Sequence, residues 1–236
     1  MSTLNAPEVQ TVLDRLFVAS AEQENSPPAL PVGFSYRTSS AQERADAMSG
    51  EYMPISQQAG DLLYSLVRAS RPDRIIEFGT SFGISTVYLA SAVVDNGAGH
   101  IFSTELSAAK VEAAHRNLLE AGLADKVTIL PGDALQTLTD VPGPIGLALL
   151  DGWKDMNLAV LKILEPRLAA GALIVADDSS FETMADYLHY VRDRANGYIS
   201  VSFPVADGME ISCWTAGELD ATGNRHHRMN DTSGKS

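Results

Sequence analysis

The apolar positions of this chain change period several times, and each change marks an element. Val9, Val12, Leu13, Leu16 and Phe17 recur at helical spacing and predict a helix over Pro7 to Glu24. The stretch Ser26-Pro-Pro-Ala-Leu-Pro-Val-Gly33 breaks it. A second helical pattern runs from Ser40 through Met48. A third, Ser56 to Ala69, puts Ala59, Leu62, Leu63, Leu66 and Val67 on one face. From Ile75 onward, short apolar runs alternate with helical stretches. Strands are predicted at Ile75–Ile76, Ile101–Ser103, Val127–Leu130, Ile145–Leu150 and Ala172–Ala176. Helices fall between them at Ser85–Val94, Ala108–Ala121 and Leu158–Leu168, the last ended by Gly171. Another helix is expected from Thr183 to Ala195. Tyr198–Phe203 and Gly208–Thr215 then read as two strands flanking an Asp207-Gly208 hairpin signal.

Most of these strands are apolar throughout, and they alternate with helices. Such a pattern predicts an α/β fold, a mostly parallel sheet covered on both faces, broken only by the terminal hairpin. Residues 1–50 precede this unit and are expected to form a helical extension that caps a crevice or makes a subunit contact in a homodimer. Residues 51–216 form the main domain. The tail, 217–236, is polar and rich in Gly, Ser and Asn, so disorder is expected there, with His226-His227 solvated rather than metal-binding.

Composition narrows the function. The chain has 236 residues and an ordinary apolar fraction of 45%. Its formal net charge of −13, with no Lys/Arg cluster, excludes the counterion-displacing surface that nucleic-acid binders need, and makes an anionic membrane equally unsuited. No apolar run is long enough to span a bilayer, and the N-terminus lacks the basic-then-apolar order of a secretory signal. Cys213 is the only cysteine, so no intrachain disulfide can form. A cytoplasmic location is the expectation.

The stretch Arg74-Ile-Ile-Glu-Phe-Gly-Thr-Ser-Phe-Gly-Ile-Ser85 carries the first chemistry. A strand ends near Glu77, Gly79 and Gly83 bracket a tight turn, and a helix opens at Ser85. Glycines let a ligand approach the backbone, and the helix N-terminus favours polar or anionic groups. The spacing Glu-x-Gly-x-x-x-Gly is not the dinucleotide fingerprint, which needs Gly-x-Gly-x-x-Gly. Glu105 closes the next strand, where an acid can take both hydroxyls of a ribose. This combination resembles the class I S-adenosylmethionine (SAM)-dependent methyltransferases. The resemblance implies a Rossmann-like, doubly wound seven-stranded sheet ending in an antiparallel hairpin.

Ligands of open α/β sheets bind at the carboxyl ends of the strands. Here those ends carry Glu77, Glu105, Asp133, Asp151 and Asp177-Asp178. Crowding anions along one edge is costly unless cations or hydroxyls share the space. Two of the ends, Asp151-Gly-Trp-Lys154-Asp and Ala-Asp177-Asp178, resemble the paired motifs of the metal-dependent catechol and caffeoyl-CoA O-methyltransferases, over about Met53 to Thr215. That resemblance implies a divalent cation, Mg²⁺ or Mn²⁺, on Asp151, Asp177 and Asp178, and a catalytic lysine at Lys154. It implies SAM contacts from Ile55, Glu77, Gly79, Thr80, Ser85, Glu105, Ala134 and Asp151. The acceptor would be a small vicinal-dihydroxy aromatic. Trp153, Phe181, Tyr187 and Trp214 are candidate walls for it, against the alternative that each is plain core or surface packing. The chain departs from the family twice: Asp178 stands where Asn is usual, and Pro204 stands where the catechol enzymes place a substrate-orienting glutamate. Two other readings stay open: methyl transfer from SAM without a metal, and a Rossmann-like module that binds a nucleoside without catalysis.

Overall fold

The computed structural model describes residues 2–24 and 30–216. The expected disordered tail and His226-His227 therefore lie outside the described residues. Helices α1 (Pro7–Glu24), α2 (Ala41–Ala47) and α3 (Gln57–Ser70) precede the first strand. Ser40 opens α2 through a reciprocal capping box with Glu43, and Ser56 caps α3 by accepting from Ala59 N–H. Then come β1 (Arg74–Phe78), α4 (Ile84–Asn96), β2 (His100–Glu105), α5 (Ala108–Glu120), β3 (Val127–Pro131), α6 (Ala134–Thr137) and β4 (Ile145–Leu150). The chain continues with α7 (Asn157–Leu164), β5 (Leu168–Ala176), α8 (Ala185–Arg192), β6 (Tyr198–Phe203) and β7 (Met209–Trp214).

The seven strands form one sheet in the order β3-β2-β1-β4-β5-β7-β6. β3 to β5 pair in parallel, and β7 enters antiparallel between β5 and β6. Alternate residues of each central strand feed opposite cores. Ile75, Leu147, Leu149 and Val175 join the α1, α3 and α4 side, while Ile76, Ala148, Leu150 and Ile174 join the α6, α7 and α8 side. Both faces are thus dry, which is why the strands read as unbroken apolar runs. The carboxyl ends of β3, β2, β1, β4 and β5 consequently lie along one edge.

Three expectations need correction. The helix before β5 stops at Leu164. Pro166 falls in a tighter turn over Glu165–Arg167, and Leu168 already pairs with Ile145 in the sheet. Gly171 therefore lies within β5, at φ +76°, rather than ending a helix. The hairpin is not closed by two residues: Phe203 and Met209 are the last pair, leaving Pro204–Gly208 as the loop. Proline supplies no N–H to extend the ladder, and the loop is instead tethered by Ser179 N–H and Ser180 N–H donating to the Gly208 and Asp207 carbonyls. Finally, α1 is not a crevice cap. Val9, Val12, Leu13 and Leu16 are buried in the main core beside Leu89 and Val93 of α4. Of the N-terminal residues, Tyr36, α2 and the segment after it reach the crevice.

Candidate active site

A cavity of about 560 Å³ opens over the carboxyl ends of β1, β2, β4 and β5. Its floor begins at the glycine-rich turn. Gly79 has φ +102°, and a Cβ there would come within 2.7 Å of the Asp151 carbonyl oxygen. Only glycine lets this turn lie directly against the end of β4. Gly83 N–H donates to the Thr80 carbonyl and closes the turn, and Gly83 then starts α4 at φ +89°.

Glu105, at the end of β2, accepts from Ser81 N–H and Ser107 N–H, both at 2.8 Å. Two backbone donors fix its carboxylate while leaving lone pairs toward the cavity. Asp133 caps α6 by accepting from Leu135 N–H at 2.9 Å, which sets Ala134 on the wall. Ile55, from the segment ahead of α3, lines the opposite side.

At the ends of β4 and β5, Asp151, Asp177 and Asp178 each bring an oxygen within 4.8 Å of the others. Lys154 Nζ sits 2.8 Å from Asp151 Oδ1 and 3.0 Å from Asp178 Oδ2. Burial pushes the Lys154 ammonium toward neutrality, but Asp151 and Asp178 override it and hold the pKa above the ordinary lysine value. Burial raises the pKa of Asp177 to about 7, with Asp151 and Asp178 adding repulsion. Asp151 is also raised, by burial first, against the pull of Lys154. Asp178 adopts φ +57°, a left-handed geometry that Asp tolerates better than most residues.

Nearly every expected site residue meets here. Ile55, Gly79, Thr80, Ser85, Glu105, Ala134, Asp151, Lys154, Asp177 and Asp178 all line the cavity. Glu77 does not. It is fully buried behind the wall, where it accepts from Ser85 Oγ and Thr86 Oγ1, both at 2.6 Å, and from Ser103 Oγ. Burial raises its pKa to about 7 despite those bonds. Ser85 faces the cavity, but its hydroxyl proton goes to Glu77. Trp153 and Phe181 are wall residues, whereas Tyr187 and Trp214 belong to the core under α8. In their place stand Tyr36, Tyr52 and Phe82, the last two stacked at 4.1 Å between centroids. Arg44, Lys110 and Asp207 also line the cavity and were not anticipated. Asp155 pairs with Arg44.

Comparison with known proteins identifies the family. A family model described as a methyltransferase domain matches residues 76–179. The catechol O-methyltransferase of Mycobacterium tuberculosis (strain H37Rv) is 32% identical over 175 residues, 74% of this chain and 72% of that protein. The chain belongs to the class I SAM-dependent O-methyltransferases. Catechol O-methyltransferase B of Danio rerio is 30% identical over 68% of the chain, which spans 65% of that relative's length. The cofactor-bound crystal structure of Rv0187 from MTB superposes with a TM-score of 0.64 at 25% identity, covering 84% of this chain and 95% of that one.

Proposed function

We propose that this methyltransferase moves the methyl group of SAM to one hydroxyl of a small, vicinal-dihydroxy aromatic acceptor, with a divalent cation on Asp151, Asp177 and Asp178. The observation that carries this reading is the pairing of Lys154 with Asp151 and Asp178 on the cavity floor. It puts a proton-transfer group against three oxygen donors of the kind hard cations prefer. The donor set fits such an ion: three clustered carboxylates, no His or Cys, and, at Asp151 and Asp177, raised pKa values that a positive charge would relieve. When bound, the ion supplies Lewis acidity that lowers the pKa of an acceptor hydroxyl.

The protein residues do the remaining work. Glu105, preset by its two backbone donors, takes the ribose hydroxyls of SAM. The Gly79–Gly83 turn lets the cofactor lie close to the backbone, and Ile55 and Ala134 supply apolar walls. Trp153, Phe181 and Tyr36 flank a flat acceptor. Lys154 takes the hydroxyl proton on Nζ, and the acceptor oxygen forms its bond to the methyl carbon as the carbon–sulfur bond breaks. To accept a proton, Lys154 must first lose one. The hold of Asp151 and Asp178 weakens when those carboxylates are engaged elsewhere. A second reading, transfer without a metal, draws on the same ion pair, because the ammonium already compensates two of the three carboxylates.

One experiment separates the two. Protein treated with EDTA is assayed for demethylated SAM with catechol, 3,4-dihydroxybenzoate and caffeoyl-CoA, before and after Mg²⁺ or Mn²⁺ is restored. Recovery on addition of the ion supports the metal-assisted route. Full turnover in excess EDTA, with metal absent by elemental analysis, rules it out. Lys154→Ala should keep SAM affinity and lose roughly 10²–10⁴-fold in turnover, the range for a general base. Lys154→Arg should not rescue it, since guanidinium stays protonated.

A further inference from the structure

We propose that Arg44 is a positioning residue for Lys154, reaching from α2 to clamp the loop that carries the lysine. The inference rests on the reading of Lys154 as the proton acceptor.

The loop between β4 and α7 has little of its own to fix it. Its single turn, Lys154–Met156, has no side-chain cap, and neither does the start of α7. The residues on either side of Lys154 are instead both held by Arg44. Its Nη1 and Nη2 donate to Asp155 Oδ1 and Oδ2 at 3.0 and 3.1 Å. The same guanidinium lies 4.8 Å from the centroid of the Trp153 ring. Arg44 reaches the loop from α2, 111 residues earlier in the chain, and is only 8% exposed.

Stability alone does not account for this arginine. A guanidinium this buried carries a desolvation cost, and its Nε has no hydrogen-bond partner. An apolar side chain would fill the space without that cost, and α2 already has its own capping box. The arrangement does secure the side chains on both sides of Lys154. The ammonium end of Lys154 is held by Asp151 and Asp178, so the side chain is anchored at both ends. When Nζ leaves those carboxylates to take a substrate proton, the Arg44 clamp is what keeps the loop in place. The fork must meet Asp155 while the plane covers Trp153, and lysine cannot do both.

The test uses the full chain carrying Trp214→Phe, which leaves Trp153 as the only tryptophan of two. Arg44→Met, Arg44→Lys and Asp155→Asn are made in that background. Asp155 is half-exposed, so its variant tests the clamp without opening the interior. Acrylamide quenching of Trp153 reports loop mobility. SAM titration counts competent sites, and kcat per site is measured with the best acceptor of the panel above. All three variants should raise the quenching constant and leave SAM affinity unchanged. Arg44→Met and Arg44→Lys should lower kcat per site on the order of 10²-fold, as misplacement of a reacting group does. Wild-type quenching in Arg44→Lys and Asp155→Asn overturns the clamp, whether or not an acceptor has been found. Raised quenching with wild-type kcat per site overturns its role in positioning. Full activity of Lys154→Ala would refute the function proposed for the lysine, while the quenching result still stands or falls by itself.

Discussion

Glu77 should make the stability of this protein fall as pH rises, and Glu77→Gln should make that fall smaller. The carboxyl is fully buried, and burial raises its pKa from an ordinary 4.5 to about 7, against three hydroxyl donors that favour the charged form. The direction follows from proton counting. Between those two values the folded chain keeps a proton that the unfolded chain releases, so stability present at low pH is lost as pH climbs. The whole displacement is worth about 3 kcal/mol, and linkage puts about 2 kcal/mol of it between about pH 5.5 and 8. The lower limit stays above the isoelectric point of about 4.7, where solubility is poorest. Urea unfolding at both pH values gives the difference directly. Glutamine also changes the hydroxyl contacts, so absolute stability drops at both pH values; the decisive quantity is the difference between them. Asp177, also raised to about 7, contributes in the same direction and remains in the variant. If Glu77→Gln shows the same pH difference as the wild type, the carboxyl does not titrate in this window and the reasoning is wrong.

Glu105→Ala should weaken SAM binding by about 1–3 kcal/mol in calorimetry, the cost of lost hydrogen bonds to a charged group; unchanged affinity would remove Glu105 from the cofactor site. Gly79→Ala should lower stability by about 1–3 kcal/mol or more, because φ +102° disfavours any side chain and the new Cβ meets the backbone of Asp151. The same variant should weaken SAM binding, since the turn must shift, and wild-type unfolding by urea would show that the close approach does not persist in solution.

How far the sequence revealed the site depends on which physical rule places each residue. The acidic row was legible because a parallel sheet brings all its carboxyl ends to one edge, whatever the strand order. Lys154 came from the resemblance of Asp151-Gly-Trp-Lys154-Asp to the catechol enzymes' motif and not from any rule of folding. Glu77 was misplaced because a strand-end acid can face the ligand or the interior. The clue lay in small hydroxyl residues at apolar positions: Ser85, Thr86 and Ser103, whose side chains converge on it. Tyr187 and Trp214 failed as walls because the sheet has two faces, and both residues pack on the one covered by α8. Tyr52 and Phe82 are joined by stacking, and Arg44 and Asp155 by an ion pair, contacts between distant parts of the chain that local periodicity does not encode. The hairpin loop was misread for a local reason: Pro204 halts the ladder before Asp207-Gly208 can act as a two-residue turn.

The cost of that acidic row also shows where the fold leaves charge uncompensated. Glu77 is met by three hydroxyls, Glu105 by two backbone N–H groups and Asp133 by the start of a helix. Asp151 and Asp178 share the ammonium of Lys154. Asp177 is different. It is buried, forms no ion pair among the described residues, and has the backbone of Asp178 as its hydrogen-bond donor. A carboxylate so placed either keeps a proton or waits for a positive charge. At physiological pH its raised value, about 7, leaves it close to balance between the two. An added cation would therefore gain most at Asp177, next to the two carboxylates that hold the lysine. A cation held by Asp151, Asp177 and Asp178 would compensate Asp177 and compete with Lys154 for the other two carboxylates, and this is the physical ground on which the proposed function includes a metal.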